Sequence, residues 1–89
     1  MTKTGGIWSI YIVQCADGTL YTGSSPDVAK RIVAHNAGQG AKYTKTRRPV
    51  ALMYQEACAD KSTALKREYA IKQLSRQQKL SLCQNKEYS

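Results

Sequence analysis

Two short β-strand patterns separated by a turn signal open the chain, and they limit the folds that it can adopt. Residues 7–14 are rich in β-branched and aromatic side chains, and residues 19–23 form a second such stretch. Between them, Ala16-Asp17-Gly18 predicts a hairpin turn, because glycine accepts the left-handed backbone that these turns require. The sequence therefore predicts an antiparallel hairpin.

Side chains alternate between the two faces of the first strand. We predict that Trp8, Ile10 and Ile12 lie on one face, and that Ser9, Tyr11 and Val13 lie on the other.

The length of the turn decides which way the two tyrosines of the hairpin point. A two-residue turn would place Tyr21 opposite Gln14, on the face away from Tyr11. A three-residue loop with Gly18 in the left-handed position would instead pair Val13 with Tyr21 and Tyr11 with Gly23. We predict the three-residue loop, which brings both tyrosines to one face.

Helix and strand signals alternate in the rest of the chain. Ser24-Ser25-Pro26-Asp27 predicts a helix start, with serine as N-cap, proline at the first helical position and aspartate in the first turn. This helix should run to about Ala37 and end at Gly38. Residues 38–49 read as a polar, basic loop.

The second half of the chain predicts one more strand and two more helices. Val50–Ala57 reads as a strand with Val50, Leu52 and Tyr54 on one face, and Asp60–Leu74 reads as an amphipathic helix. Another helix should begin at Ser75, helped by Gln78 at capping-box spacing. We therefore predict an α+β fold of order β-β-α-β-α-α, a three-stranded antiparallel sheet flanked by three helices. A single domain should span residues 1–89, with its core at about 7–82.

Charge and composition restrict the partners and the compartment. The 89 residues include 14 basic and 6 acidic side chains, so the formal net charge is +8. So basic a domain favours phosphate-bearing polymers, although a merely cationic, soluble surface has the same composition. Three isolated cysteines and one histidine do not suit an ordinary zinc site and favour reduced thiols. With no apolar run of signal-peptide or membrane-spanning type, we expect a cytoplasmic protein.

Arg31 and His35 lie four residues apart, so they stack on one side of the first predicted helix. The helical wheel places both at the border of the buried stripe that Val28 and Ile32 mark. A guanidinium at such a border matches phosphate oxygens well. The alternative is structural: an arginine that extends to solvent and a hydrogen-bonded core histidine.

Glu68 stands on the second predicted helix where an apolar residue is expected. Its neighbours on the wheel form an apolar arc: Ala64, Leu65, Ile71 and Leu74. A buried carboxylate needs compensation, and a divalent cation such as Mg²⁺, which takes one or two carboxylates, would supply it. A buried ion pair with Arg31 is the alternative.

At these residues the chain resembles the GIY-YIG nuclease superfamily, and in particular its small stand-alone bacterial members. The resemblance covers about Ile7–Leu82. It rests on the two tyrosine motifs, Arg31-x-x-x-His35, Lys42-Tyr43-Thr44 and Glu68-Tyr69-Ala70-Ile71-Lys72. The first motif is Ser-Ile-Tyr rather than Gly-Ile-Tyr, and the second is Tyr-Thr-Gly rather than Tyr-Ile-Gly. Both keep the tyrosine.

The resemblance implies hydrolysis of phosphodiester bonds in DNA with Mg²⁺ or another divalent cation such as Mn²⁺, in repair or recombination. Tyr11 would take a proton from the attacking water or help to activate its acceptor, and Tyr21 would hydrogen-bond within that network. Arg31 would hold the phosphate, His35 would assist proton transfer, and Glu68 would bind the metal. Some members also use an asparagine near the end of the domain, for which Asn85 is the candidate here.

Affinity for nucleic acid would come from eight mostly basic residues: Lys42, Tyr43, Lys45, Arg47, Arg48, Lys66, Arg67 and Lys72. Tyr43 could line the cleft or simply pack. Two other functions remain open: a nucleic-acid-binding module of the same fold with little or no turnover, and an interaction or ribosome-associated factor whose charge serves RNA contact. The sequence does not choose between DNA and RNA, and we expect a monomer or a weak homodimer.

Overall fold

A three-stranded antiparallel sheet with strand order β2-β1-β3 forms the centre of the fold. The structure is a computed structural model that describes residues 7–85, apart from the side chain of Asn85. Its elements are β1 (Trp8–Gln14), β2 (Leu20–Ser25), α1 (Val28–Asn36), α2 (Lys42–Lys45), β3 (Ala51–Cys58), α3 (Lys61–Lys72) and α4 (Arg76–Asn85). The predicted fold class is confirmed, and the described residues contain one short helix, α2, beyond the predicted three.

The hairpin has the predicted three-residue loop. Tyr11 pairs with Gly23 and Val13 with Tyr21. The Cys15 amide donates to the Thr19 carbonyl at 2.8 Å, and Gly18 closes the turn with φ of 87°. Because paired residues share a face, Tyr11 and Tyr21 point to the same side of the sheet.

Each face of β1 is buried under its own apolar cluster, as the alternation predicts. On the first face, Ile10 and Ile12 pack with Ala64 and Ile71 of α3 and with Cys83 of α4. On the second face, the buried residues are Tyr11, Val13, Cys15, Val28 and Val50. Full burial of each such side chain contributes roughly 1.5–3 kcal/mol. The central strand is therefore held from both sides, and α1 and α3 lie on opposite faces of the sheet.

The prediction that Val50, Leu52 and Tyr54 share a face is wrong. Tyr54 pairs with Ile12 of the first face, whereas Leu52 pairs with Val13 of the second, and the register shifts between these two pairs. An extra residue, Met53, is accommodated there as a β-bulge, and a bulge reverses the alternation of side chains beyond it. Val50 accordingly belongs to the second-face cluster.

The start of α1 differs from its prediction, while its end agrees. β2 continues to Ser25, and the N-cap of α1 is Asp27, whose carboxylate accepts from the Lys30 amide at 3.1 Å. Ser25 acts one step earlier, since its hydroxyl accepts from the Asp27 amide at 3.0 Å. After α1, Gly38 has φ of 82°, as the predicted stop requires.

The predicted loop at residues 38–49 contains the one-turn helix α2. Its central residue Thr44 is fully buried, and the Thr44 hydroxyl donates to the Ala41 carbonyl at 3.1 Å. One turn is too short to show helical periodicity, which explains why the sequence pattern missed it.

The start of α4 agrees with its prediction, because Ser75 and Gln78 form the reciprocal capping box, at 2.9 and 3.2 Å. None of the described helices is long and apolar enough to cross a membrane.

Candidate active site

Tyr11 lies across Gly23 at the outer strand of the sheet. A Cβ atom built on Gly23 would stand only 2.5 Å from the Tyr11 hydroxyl oxygen. Gly23 is therefore the residue that lets the Tyr11 ring cross β2 towards the sheet edge, as its position opposite Tyr11 suggested. The Tyr11 side chain is almost completely buried along this path.

His35 is hydrogen-bonded to the hydroxyl of Tyr11. The Tyr11 oxygen and the His35 Nε2 atom are 2.8 Å apart, and His35 is fully buried. Burial lowers the pKa of His35 below 6.5, and the charge of Arg31 lowers it further. The imidazole is therefore neutral at pH 7 and has one nitrogen able to accept a proton.

Thr44 and Gly40 enclose the other side of the His35 ring. The Thr44 hydroxyl lies 2.8 Å from His35 Nδ1. A Cβ atom on Gly40 would collide with the ring, so the backbone of the segment before α2 packs directly against it. In the sequence Thr44 stands out only as part of the Lys-Tyr-Thr motif, which does not indicate its contact with His35.

Tyr21 and Tyr43 form the aromatic wall of the site. The Tyr21 ring meets His35 edge-on at 5.5 Å between centroids and stacks on Tyr43 at 5.8 Å with an angle of 21°. The Arg47 guanidinium carbon lies 4.0 Å from the centroid of the Tyr43 ring. Tyr43 thus packs against Tyr21, and the Tyr43 side chain remains partly exposed.

The other four predicted catalytic residues all influence the hydroxyl group of Tyr11. Burial is the main cause that raises the pKa of Tyr11 to about 12, with a smaller contribution from Tyr21; Arg31 opposes this rise, and Glu68 adds slightly to it. With the direct His35 contact, all four of the other predicted side chains act on this one oxygen. Tyr11 alone is therefore a poor base near neutral pH and needs a partner that takes its proton.

Glu68 reaches this edge of the sheet from α3, on the other face. Its side chain is only 16% exposed, and its Oε2 atom lies 2.7 Å from Lys72 Nζ. Its Oε1 atom accepts a hydrogen bond from the Ser24 hydroxyl at 2.7 Å. The inward position of Glu68 agrees with the helical wheel, although Leu65 of the predicted apolar arc is largely exposed. Its hydrogen-bonding partners are Ser24 and Lys72 rather than Arg31.

A divalent cation at this carboxylate would depend on few protein ligands. Nowhere in residues 7–85 do three side chains of His, Cys, Asp or Glu gather in one place. A single carboxylate still suits Mg²⁺, which commonly completes its shell with water and substrate phosphate. The oxygen donor of Glu68 therefore fits such an ion, provided that the ion displaces or shares the place of the Lys72 ammonium.

The other predicted nucleic-acid contacts divide into exposed cations and cations engaged within the fold. Lys42 and Lys45 are exposed and have no acidic partner in the described part of the chain, and Lys66 is also exposed. Arg48 donates to the backbone carbonyls of Lys45 and Asn36, at 2.8 and 3.3 Å.

Three predicted contacts are paired with acids and also remain partly exposed to solvent. Arg47 pairs with Asp17 at 3.1 Å, and Lys72 pairs with Glu68. Arg67 holds both oxygens of Glu56, at 2.8 and 3.1 Å. The long side chain of Lys72 reaches back one turn to Glu68. Asn85 is the last residue of α4, and its side chain lies outside the described residues.

Comparison with known proteins identifies the family of this chain. Residues 7–81 match the GIY-YIG catalytic domain. A UPF0213 protein of Staphylococcus saprophyticus is 67% identical over 73 residues, which are 82% of this chain and 89% of the relative. A UPF0213 protein of Desulfotalea psychrophila is 60% identical over 76 residues, which cover 84% of this chain and 69% of the relative.

Two solved structures share the fold. The solution NMR structure of a UPF0213 protein from Bacillus halodurans has a TM-score of 0.58 at 42% identity, with 90% of this chain and 85% of that chain covered. The solution NMR structure of an E. faecalis protein has a TM-score of 0.61 at 35% identity, with 98% and 91% covered. With the two tyrosines, the arginine–histidine helix and the inward glutamate in place, the chain belongs to the GIY-YIG catalytic domain family and, within it, to the UPF0213 proteins.

Proposed function

We propose that this protein is a divalent-metal-dependent endonuclease that hydrolyses phosphodiester bonds in DNA, in repair or recombination. The observation that carries the proposal is the 2.8 Å contact between the Tyr11 hydroxyl and the buried Nε2 atom of His35. A buried tyrosine bonded to a neutral histidine, with Arg31 and Glu68 acting on the same oxygen, is suited to proton transfer next to a phosphate.

His35 compensates for the high pKa of Tyr11 by accepting the proton of its hydroxyl group. The attacking water passes a proton to the Tyr11 oxygen while the hydroxyl proton of Tyr11 moves to Nε2 of His35. Tyrosinate therefore never has to form, and the added proton later leaves the ring by the reverse route through Tyr11, because the ring itself is fully buried. The neutral state of His35, maintained by burial and by Arg31, keeps it ready for this role at pH 7.

Arg31 and Glu68 supply the electrostatic part of the reaction. The guanidinium of Arg31 donates to the oxygens of the scissile phosphate and stabilises the charge that develops there. Glu68 would hold the divalent cation, which would supply Lewis-acid chemistry at the scissile phosphate. Tyr21 packs against the His35 ring and keeps it in place beneath Tyr11.

A nicking assay on supercoiled plasmid and on branched DNA, with Mg²⁺, tests the proposal. Tyr11→Phe should lower the rate by about a hundredfold to ten-thousandfold, the usual contribution of a positioned proton acceptor. Glu68→Gln should abolish the DNA cleavage that Mg²⁺ supports. Tyr54→Phe is the matched control, because Tyr54 donates to Glu56 away from this site and should cleave at the wild-type rate. Equal cleavage by wild type, Tyr11→Phe and Glu68→Gln would refute the proposal.

A binding module with little turnover is the second candidate, and the Lys72–Glu68 ion pair favours it. The ammonium already neutralises the carboxylate at 2.7 Å, so the fold does not need a metal at this position. A protein of this kind would bind DNA with the same strength in Mg²⁺ and in EDTA at constant ionic strength, and would leave it intact. The cytoplasmic location and the monomeric or weakly dimeric state stay predictions.

A further inference from the structure

The hydrogen-bond direction at Thr44 determines which nitrogen of His35 carries the hydrogen. The Thr44 hydroxyl has a single proton, and it donates that proton to the Ala41 carbonyl at 3.1 Å. Towards His35 Nδ1, at 2.8 Å, the same oxygen can then only accept. With this direction of donation, Nδ1 is the protonated nitrogen of the neutral ring.

The opposite nitrogen then has a lone pair directed at Tyr11. In a neutral imidazole only one nitrogen bears hydrogen, so Nε2 accepts the hydrogen bond from the Tyr11 hydroxyl at 2.8 Å. In the reverse tautomer Nε2 would donate to the Tyr11 oxygen, which leaves the Tyr11 hydroxyl proton without an acceptor among the described residues, and the Thr44 hydroxyl would have to turn from the Ala41 carbonyl to Nδ1. His35 and Thr44 are both fully buried, so water does not compensate such a mismatch.

We propose that Thr44 is a positioning residue that holds His35 in the Nδ1–H tautomer and thereby makes Nε2 the proton acceptor for Tyr11. The inference deepens the proposed function and rests on it for its catalytic consequence, but the tautomer itself is a property of the protein without substrate. It also assigns a task to α2, whose buried side chain is Thr44.

The direct test is ¹⁵N NMR of the His35 ring in the substrate-free protein, where the chain's single histidine makes the assignment unambiguous. Wild type and Thr44→Ser should both show the Nδ1–H form, because serine keeps the hydroxyl. Thr44→Val, nearly equal in shape, should show a mixture or the Nε2–H form. A wild-type ring in the Nε2–H form would overturn the inference, and so would a Thr44→Val protein that keeps the Nδ1–H form.

Hydrolysis supplies the second readout. Thr44→Val should cut the nicking rate by at least about tenfold with little change in DNA affinity, and Thr44→Ser should restore most of it. If Thr44→Val fails to fold, the wild-type and Thr44→Ser spectra still decide the tautomer. Should wild type not cleave DNA while its ring is in the Nδ1–H form and that of Thr44→Val is not, the proposed function fails and the assignment of Thr44 as the residue that sets the tautomer stands.

Discussion

Gly23 matters at the residue scale because of the atom that lies against it. The Tyr11 hydroxyl oxygen would be 2.5 Å from a Cβ at this position, closer than any van der Waals contact. The site therefore depends on an absent side chain as much as on the polar groups. Gly18 differs in kind: it has φ of 87° and nothing within 4 Å of a built Cβ, so its constraint is the backbone alone.

Replacing these two glycines by alanine should separate the two effects. Gly23→Ala should displace the Tyr11 ring and lower the nicking rate at least about tenfold, since a misplaced proton acceptor loses most of its contribution. Gly18→Ala should cost about 1 kcal/mol of stability and leave the rate of the folded protein unchanged. Rates measured at saturating Mg²⁺, with urea denaturation of both variants, provide the comparison. A fully active Gly23→Ala would show that Tyr11 does not need its observed position.

Thr22 carries a hydroxyl that the fold does not use. It is 2% exposed, and its oxygen has no hydrogen-bond partner in the described part of the chain. Valine has nearly the same shape without the polar group, so Thr22→Val should stabilise the protein by about 1 kcal/mol. Urea denaturation at pH 7 measures the change. A loss of stability would mean that the Thr22 hydroxyl has a partner, such as a buried water.

At the scale of elements, α3 connects the first-face core to the site. Ala64 and Ile71 are fully buried against β1, and this packing fixes the rotation of the helix that places Glu68 at the sheet edge. Lys72, one turn further, then lies beside the carboxylate. The helix thus presents both the metal ligand and a cation that competes with the metal.

Removal of that competing cation should strengthen metal binding. We expect Lys72→Met to tighten Mn²⁺ binding by about 1.5-fold to fivefold, the usual range for the loss of a partly exposed ion pair. Lys61→Met is the control, since it removes the same charge from the start of α3, where Lys61 lies over the Trp8 ring. Titration calorimetry or Mn²⁺ electron paramagnetic resonance gives the affinities. Identical binding by wild type and Lys72→Met would contradict competition at Glu68.

At the scale of the whole molecule, the buried neutral His35 links the site to stability. Its folded pKa is lowered below 6.5, mainly by burial and also by Arg31. Below pH 6.5 the unfolded chain consequently binds more protons than the native one, so the free energy of unfolding falls as the pH falls. The pKa values of three acids are lowered from their ordinary values of 3.8 for Asp17 and Asp60 and 4.5 for Glu56. Their protonation therefore affects the free energy of unfolding only at lower pH.

Urea denaturation between pH 7.5 and 5.5 should therefore show a loss of stability that depends on His35. The loss should be present in wild type and absent in His35→Gln, which has no titrating ring. A His35→Gln protein with the same pH dependence as wild type would place the titrating group elsewhere.

The net charge of +8 is also a property of the whole chain, and DNA binding should report it. Each phosphate contact lowers the slope of log affinity against log salt by about one. Lys42→Gln and Lys45→Gln, which remove exposed cations without acidic partners, should each reduce the magnitude of that slope by about one. Lys61→Gln should leave it unchanged. A slope that none of these substitutions alters would exclude α2 from the DNA contact.

Features that depend on a few neighbouring residues can be read from the amino-acid sequence alone. Gly18 selected the three-residue loop, and that loop decided the register that brings Tyr11 and Tyr21 to one face. The capping box at Ser75 and the two-faced pattern of β1 are local in the same sense. The helical spacing likewise predicted that Glu68 turns inward.

Only the tertiary structure decided the contacts between segments that are distant in the chain. The bulge at Met53 depends on how β3 fits against β1, and the contact of Ser24 with Glu68 joins residues 44 positions apart. Thr44 contacts His35 because α2 packs against α1. One turn of helix leaves no periodic signal in the sequence from which this contact could be predicted. Local patterns report backbone preference and burial, whereas the hydrogen-bonding partner of a buried polar group is set by whichever segment packs beside it.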